Sequence, residues 1–174
     1  VRVFGTVIAG RDQGASIEFR AVADSTDVPT AKFEFENANG YSQFENCHWD
    51  GFQSRVEWSD DGPIPEADFA ELIRVNHSGL KIYDNSFRNC GGILRADSAS
   101  WIVVTNTNIA WSLVRPRDEH LVSLISIGQA TTARFRNLLV HNSSGIIFVD
   151  DADTVRFEGS AFVDNTDLRF SLSD

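Results

Sequence analysis

Three cations each stand immediately before a large apolar residue, in the pairs Lys81-Ile82, Arg134-Phe135 and Arg156-Phe157. Side chains alternate along a strand, so an inward apolar residue places the preceding cation in solvent. Gln43 and Ile102 take the same place in two other segments. Stacked strands lie about 4.8 Å apart, so the cations would form a basic column that pairs with carboxylates along an acidic glycan. Solvated charges paired with nearby acids are the alternative interpretation.

Two segments without repeat character carry further candidates. In the first, Trp58 could stack on a sugar ring, and four acids offer the oxygen ligands that calcium prefers, namely Asp60, Asp61, Glu66 and Asp68. In the second, Arg115, Arg117 and His120 could contact a bound substrate. No cofactor is expected unless the acidic segment binds calcium, and a solvated acidic loop is the alternative.

A repeat of short strands must position these candidates. Pairs of large apolar residues recur at a spacing of five, as Phe44/Trp49, Ile82/Phe87, Phe135/Val140 and Phe157/Phe162, and the last two pairs lie 22 residues apart. Apolar and charged residues alternate within the segments, and Asn recurs between them, as strands and tight corners require. Leucine-rich repeats share the period but need a regular Leu frame that this chain lacks. The pattern predicts an all-β, right-handed parallel β-helix, a solenoid with coils of about 22 residues.

The repeat also predicts the extent of the domain and its core. Residues 1–174 form one domain, in which 30–167 make regular coils and 1–29 an irregular first or capping coil. The chain starts at Val1 and has no Met, so we expect it to be part of a larger protein. Ten residues are expected to point inward: Phe35, Phe44, Ile73, Ile82, Phe87, Phe135, Val140, Phe148, Phe157 and Phe162.

Two insertions leave the repeat at one corner, after Gly51-Phe52 and after Trp111-Ser112, and a tight Gly91-Gly92 turn lies between them. Loops on a rigid scaffold commonly carry function. The two insertions would therefore wall a groove over the intervening coil. Its expected floor consists of four outward residues: Arg74, Lys81, Tyr83 and Arg88.

Composition excludes several classes of protein. The chain has 15 Lys and Arg against 25 Asp and Glu, a net charge of −10, which repels nucleic-acid phosphates. No run approaches the roughly 18 apolar residues of a membrane span, so none is predicted. Cys47 and Cys90 lie about five repeat positions apart, too far for a disulfide, and are predicted to be free thiols.

Three segments, Phe44 to Trp49, Lys81 to Cys90 and Thr105 to Ile109, resemble coils of the pectin-lyase-like superfamily, within it the chondroitinase B-like group. The resemblance covers about residues 30–167. It implies polysaccharide lyase chemistry, in which a base removes the proton beside a uronate carboxylate and an acid protonates the leaving oxygen. The family uses Lys and Arg in these roles, and Lys81 with Arg88 is the pairing that this chain offers.

The sequence is equally similar to non-catalytic β-helix modules of bacterial cell-surface proteins. Complete coils with few candidate catalytic groups favour this second interpretation. We therefore expect an extracellular or cell-surface module that binds polysaccharide or another cell-surface partner, or serves a structural role. A polysaccharide lyase acting on uronate-containing glycans by β-elimination is the alternative.

Overall fold

The computed structural model describes residues 2–3, 7–10, 16–20, 33–37, 40–52, 58–59, 62–63, 71–98, 100–112, 123–166 and 168–173. These residues form strands and corners, with no helix among them. No helix in this part of the chain could therefore cross a membrane. The strands build a right-handed parallel β-helix, as the repeat predicts.

Each coil contributes one strand to each of three parallel sheets. Sheet 1 has seven strands: β1 (Arg2–Val3), β4 (Phe33–Glu36), β9 (Ile73–Asn76), β12 (Leu94–Asp97), β15 (Ser123–Ile127), β18 (Gly145–Asp150) and β21 (Leu168–Ser173). Sheet 2 has six: β2 (Ile8–Ala9), β5 (Tyr41–Glu45), β10 (Gly79–Tyr83), β13 (Trp101–Thr105), β16 (Thr132–Arg136) and β19 (Thr154–Glu158). Sheet 3 has six: β3 (Ile17–Arg20), β6 (Cys47–Asp50), β11 (Ser86–Arg88), β14 (Asn108–Ala110), β17 (Leu139–His141) and β20 (Ala161–Val163). Residues 2–20, expected to be irregular, thus supply one strand to every sheet.

Register confirms the predicted period. Ile82 pairs with Val104, and Phe135 with Phe157, each pair being separated by 22 residues. The insertions lengthen two other coils, because 38 residues separate Phe44 from its partner Ile82 and 31 separate Val104 from its partner Phe135. Both insertions lie between a sheet 3 strand and the next sheet 1 strand, so the predicted common corner is confirmed. Within the first, β7 (Trp58–Ser59) pairs antiparallel with β8 (Gly62–Pro63).

The corners depend on residues with positive φ. At the corner between sheets 2 and 3, successive coils place Asn46, Asp84, Asn106 and Asn137, with φ values of 52°, 53°, 50° and 51°. Asn and Asp tolerate this left-handed conformation better than most side chains. The Asn106 amide donates to Asp84 Oδ1 at 3.0 Å, and the Asn137 amide donates to Asn106 Oδ1 at 2.9 Å. A ladder of polar side chains therefore links the coils along this corner, as the recurrence of Asn suggests.

Aromatic stacking organises the core. The Trp49 ring stacks between Phe19 and Phe87, with centroid distances of 4.1 Å and 5.7 Å. Its indole nitrogen donates to Oδ1 of the buried Asn85 at 3.1 Å, so the one polar atom of the ring is satisfied. Farther along the solenoid, Phe135 stacks on Phe157 at 4.6 Å. Burial of each such ring contributes roughly 1.5–3 kcal/mol.

Most of the predicted inward residues are confirmed. Seven are buried in the core, namely Phe35, Phe44, Ile73, Ile82, Phe87, Phe135 and Val140, while Phe157 and Phe162 pack against it in the last coil. The prediction for Phe148 was wrong. Phe148 pairs with the outward Ser126, whereas its neighbours Ile147 and Val149 pair with the buried Ile125 and Ile127. A run of four apolar residues hid the alternation that fixes the inward face.

Candidate functional site

The outer face of sheet 2 gathers aromatic and cationic side chains. Its strands are in register, so their outward residues form three columns along the solenoid. The first contains Tyr41, Gly79, Trp101, Thr132 and Thr154; the second Gln43, Lys81, Val103, Arg134 and Arg156; the third Glu45, Tyr83, Thr105, Arg136 and Glu158. Neighbouring members of a column lie on strands about 4.8 Å apart. A ligand lying along the solenoid would therefore contact one column over several coils.

Tyr41 and Trp101 form an exposed aromatic surface at the start of these strands. They flank Gly79 in the first column, and their ring centroids are 4.9 Å apart with 60° between the planes. A Cβ on residue 79 would lie 2.1 Å from Tyr41 Cδ1, so glycine lets the Tyr41 ring fold over β10. Tyr41 is 46% exposed and Trp101 38% exposed. Two rings therefore present apolar faces to solvent from a rigid sheet.

Lys81 completes this surface. Its Nζ lies 4.6 Å from the centroid of the Tyr41 ring, a cation–π contact. Within the described residues Lys81 makes no ion pair with an acid. Its charge is therefore available to a ligand that also touches the rings. We call Tyr41, Trp101 and Lys81 the aromatic–lysine patch.

The basic column has a different composition from the predicted one. Val103, and not Ile102, stands between Lys81 and Arg134, because Ile102 is buried and pairs with Leu80. Lys81 is therefore separated from the other two cations by an apolar residue. The long apolar run Trp101 to Val104 concealed the alternation.

Glu158 neutralises part of this column. Arg134 Nη2 donates to both Glu158 carboxylate oxygens, at 2.9 Å and 2.8 Å, and Arg136 Nε donates to Oε2 at 2.9 Å. Hydrogen bonds from the two guanidinium groups lower the pKa of the Glu158 carboxyl below its ordinary value. Arg156 is exposed and makes no ion pair with any described acid. Of the three predicted cations, Lys81 and Arg156 are thus free and Arg134 is paired.

The predicted groove floor was wrong. Arg74 lies on sheet 1, Lys81 and Tyr83 on sheet 2, and Arg88 on sheet 3. Between Arg74 and Arg88 the chain turns two corners, where His77 and Asp84 take positive φ. The four side chains therefore face three directions, and Lys81 and Arg88 cannot both reach one substrate bond.

Arg74 and Arg88 lie on the two sheets beside the corner from which the insertions leave. Arg88 is exposed on sheet 3. Arg74 is partly buried between Glu34 and Arg95 in the register of sheet 1, and its Nε has no hydrogen-bond partner in the structure. Neither residue touches the aromatic–lysine patch, so the two arginines could contact a ligand only at a separate place.

Several predicted site residues lie outside the described residues: Asp60, Asp61, Glu66, Asp68, Arg115, Arg117 and His120. For Trp58 the structure describes the backbone, which pairs with Pro63 in the β7–β8 hairpin. Calcium binding by the acidic segment stays a prediction. Elsewhere in the described ranges, no three His, Cys, Asp or Glu side chains are grouped so that they could hold a metal ion.

Tyr41 and Trp101 escaped the sequence-based prediction of the site. Each stands three positions before an inward core residue, Phe44 or Val104, and so falls on the outer face by simple alternation. Counting backwards from the core residue in each coil would have placed both in the same column as Gly79. The signal was present, but attention to charged residues passed over it.

The two cysteines offer no nucleophile. Both are free and buried, as predicted. Burial raises the pKa of Cys47 to about 11 and that of Cys90 to about 12. Because the thiolate is the reactive form, neither thiol is activated near neutral pH.

Comparison with known proteins gives no relative from which a role could be transferred. No family model, curated protein or solved structure matches the chain. The resemblance to the pectin-lyase-like superfamily therefore stays a prediction. What is established for this chain is a right-handed parallel β-helix whose second sheet carries the aromatic–lysine patch on its outer face.

Proposed function

We propose that the chain is a non-catalytic module that binds uronate-containing polysaccharide outside the cell. The aromatic–lysine patch is the observation that carries this proposal. Its two rings and one free cation lie on a rigid, regularly spaced sheet. Such a surface suits a repeating ligand, since successive strands offer similar contacts at a constant spacing.

Each part of the patch matches one part of an acidic sugar. Tyr and Trp present a large apolar ring with a polar edge, which suits stacking against the apolar face of a sugar while its hydroxyls stay solvated. The Lys81 ammonium, held over the Tyr41 ring, can donate charge-assisted hydrogen bonds to a carboxylate on the same sugar. Arg156, farther along the second column, offers a cation to a later carboxylate of the polymer.

Elimination chemistry has less support. A lyase needs a base and an acid on the same side of one glycosidic bond. Lys81 and Arg88, the pairing implied by the family resemblance, lie on different sheets. Tyr83 follows Lys81 on the outer face of β10, but its neighbours in the third column are Glu45 and Thr105, which supply no cation for a uronate carboxylate.

Calorimetric titration with polygalacturonate tests the proposal. We expect Trp101→Ala and Lys81→Ala each to weaken binding by roughly tenfold, since a stacked ring or an ionic contact contributes about 1–2 kcal/mol. Trp111→Ala and Arg88→Ala are matched controls, because Trp111 is 50% exposed and Arg88 is exposed, and neither lies on sheet 2. Equal losses in the controls would place the site elsewhere. Ultraviolet absorbance from an unsaturated product during the titration would instead support the lyase.

A further inference from the structure

The C-terminal end of the solenoid has the form of a step. Strands β19, β20 and β21 are the terminal strands of their sheets, each paired on one side. Sheet 1 has seven strands and sheets 2 and 3 have six, so β21 begins a new layer on top of β18. At that layer no described strand stands opposite β21. A notch therefore lies beside β21, above β19 and β20.

The step exposes residues of the inward column. Phe170 and Leu172 pair with the inward Ile147 and Val149, so both point toward the solenoid axis. Phe170 is nevertheless 52% exposed and Leu172 77% exposed. Phe170 makes edge contacts with Phe157 and Phe162, at centroid distances of 6.0 Å and 5.1 Å. An apolar, largely aromatic surface thus faces solvent at this end.

Free strand edges surround that surface. The terminal strands span five residues in β19, three in β20 and six in β21, and their outer edges present backbone N–H and C=O groups. At the opposite end, β1 and β2 span two residues each. Very short edge strands are poor templates for pairing. The C-terminal end is therefore the stronger place for another chain to add strands.

We propose that a second copy of this chain binds at the C-terminal end, tail to tail about a two-fold axis. The step is self-complementary: β21 of each copy can enter the notch of the other, pair with a free edge and bury Phe170 and Leu172 against their counterparts. A partner must offer both a strand edge and an apolar surface at one height, and the step of a second copy has both. Such a contact is isologous and closes at the dimer.

Sedimentation equilibrium of the 174-residue chain over a range of concentrations tests this proposal. We expect a monomer–dimer equilibrium that strengthens with salt, because each copy carries a net charge of −10 that opposes association and that salt screens. Leu172→Glu should raise the dissociation constant by roughly tenfold or more, and Leu172→Ser should raise it less, since burial of a charge costs more than loss of a leucine.

Ile8→Glu is the matched control, because Ile8 is 55% exposed and lies at the opposite end of the solenoid. It should leave the dimer unchanged. Far-ultraviolet circular dichroism should show the same β signal for all variants, since both side chains are exposed. A monomer at every concentration, a Leu172→Glu dimer as stable as the wild type, or oligomers that grow beyond two copies and are blocked by Ile8→Glu would each overturn the tail-to-tail contact.

Discussion

Glu158 sets how much positive charge the outer face of sheet 2 presents. Its carboxylate holds the guanidinium groups of Arg134 and Arg136 through three hydrogen bonds of 2.8–2.9 Å. All three side chains are about two-fifths to one-half exposed, so the pairs contribute little to folding. Their main consequence is that two of the cations on this face are neutralised.

We predict that Glu158→Gln tightens binding of polygalacturonate by about threefold to tenfold, because it releases two cations without unfolding the domain. Calorimetry at constant ionic strength measures the change. Glu18→Gln is the matched control, since it removes the same charge from an exposed ion pair with Arg20 on sheet 3. Similar tightening by both variants would mean that net charge, and not the face of sheet 2, governs binding.

The buried thiols predict how stability depends on alkaline pH. Folded Cys47 and Cys90 have pKa values raised to about 11 and 12, from an ordinary 9.0, chiefly through burial. Their contribution to stability is complete below about pH 9 and falls between about pH 9 and 12, because only the unfolded chain then releases its thiol protons. Urea unfolding of the wild type and of a Cys47→Ala/Cys90→Ala variant should show a steeper decline for the wild type. Parallel declines would contradict the burial of the thiols.

At the scale of the strand, one position decides which face a side chain joins. Phe135 is buried and stacks on Phe157, whereas Phe148 stands on the outer side of sheet 1 beside Ser126. We predict that Phe135→Ala lowers the free energy of unfolding by about 3–5 kcal/mol, and that Phe148→Ala costs clearly less. Chemical denaturation of the two variants measures both values. A larger loss at Phe148 would reverse the register of β18.

Strand alternation explains how far sequence could predict the fold. Phe44, Ile82 and Phe135 stand next to polar residues, so their inward orientation could be inferred from pattern alone. In Ile146 to Val149 and Trp101 to Val104 every residue is apolar, and the inward set depends on the register with the neighbouring coil. Both errors of orientation, at Phe148 and Ile102, fall in these runs.

Corners limited the prediction of the site. A spacing of 14 residues from Arg74 to Arg88 looks local in sequence, yet two corners divide it among three sheets. The positive-φ residues at these corners, His77 and Asp84, are not glycines, so the points where the chain changes direction were not marked by the strongest turn signal. Lys81 was identified correctly as an outward cation, but its neighbours were not.

The whole molecule combines a strongly acidic surface with one small cationic, aromatic area. A net charge of −10 disfavours an acidic ligand at long range, so binding must depend on contacts close to the patch. Salt screens both the attraction at Lys81 and the overall repulsion. The proposed tail-to-tail contact is apolar and should gain from salt, which separates its behaviour from ionic contacts at sheet 2.

The four tryptophans report on four different places in the molecule. Trp49 lies in the core, Trp58 in the hairpin of the first insertion, Trp101 in the aromatic–lysine patch, and Trp111 at the corner where the second insertion begins. Any ligand that stacks on an indole perturbs its N–H resonance. A nuclear magnetic resonance spectrum of the indole protons therefore distinguishes the patch from the predicted groove between the insertions.

Titration of the isotopically labelled protein with oligogalacturonate, followed through these four indole resonances, tests the central claim most directly. We predict that the Trp101 resonance shifts progressively and saturates, while those of Trp49, Trp58 and Trp111 stay in place. The Trp101→Ala variant assigns the resonance. Saturable shifts confined to Trp58 or Trp111, with Trp101 unchanged, would contradict a binding site on the outer face of sheet 2.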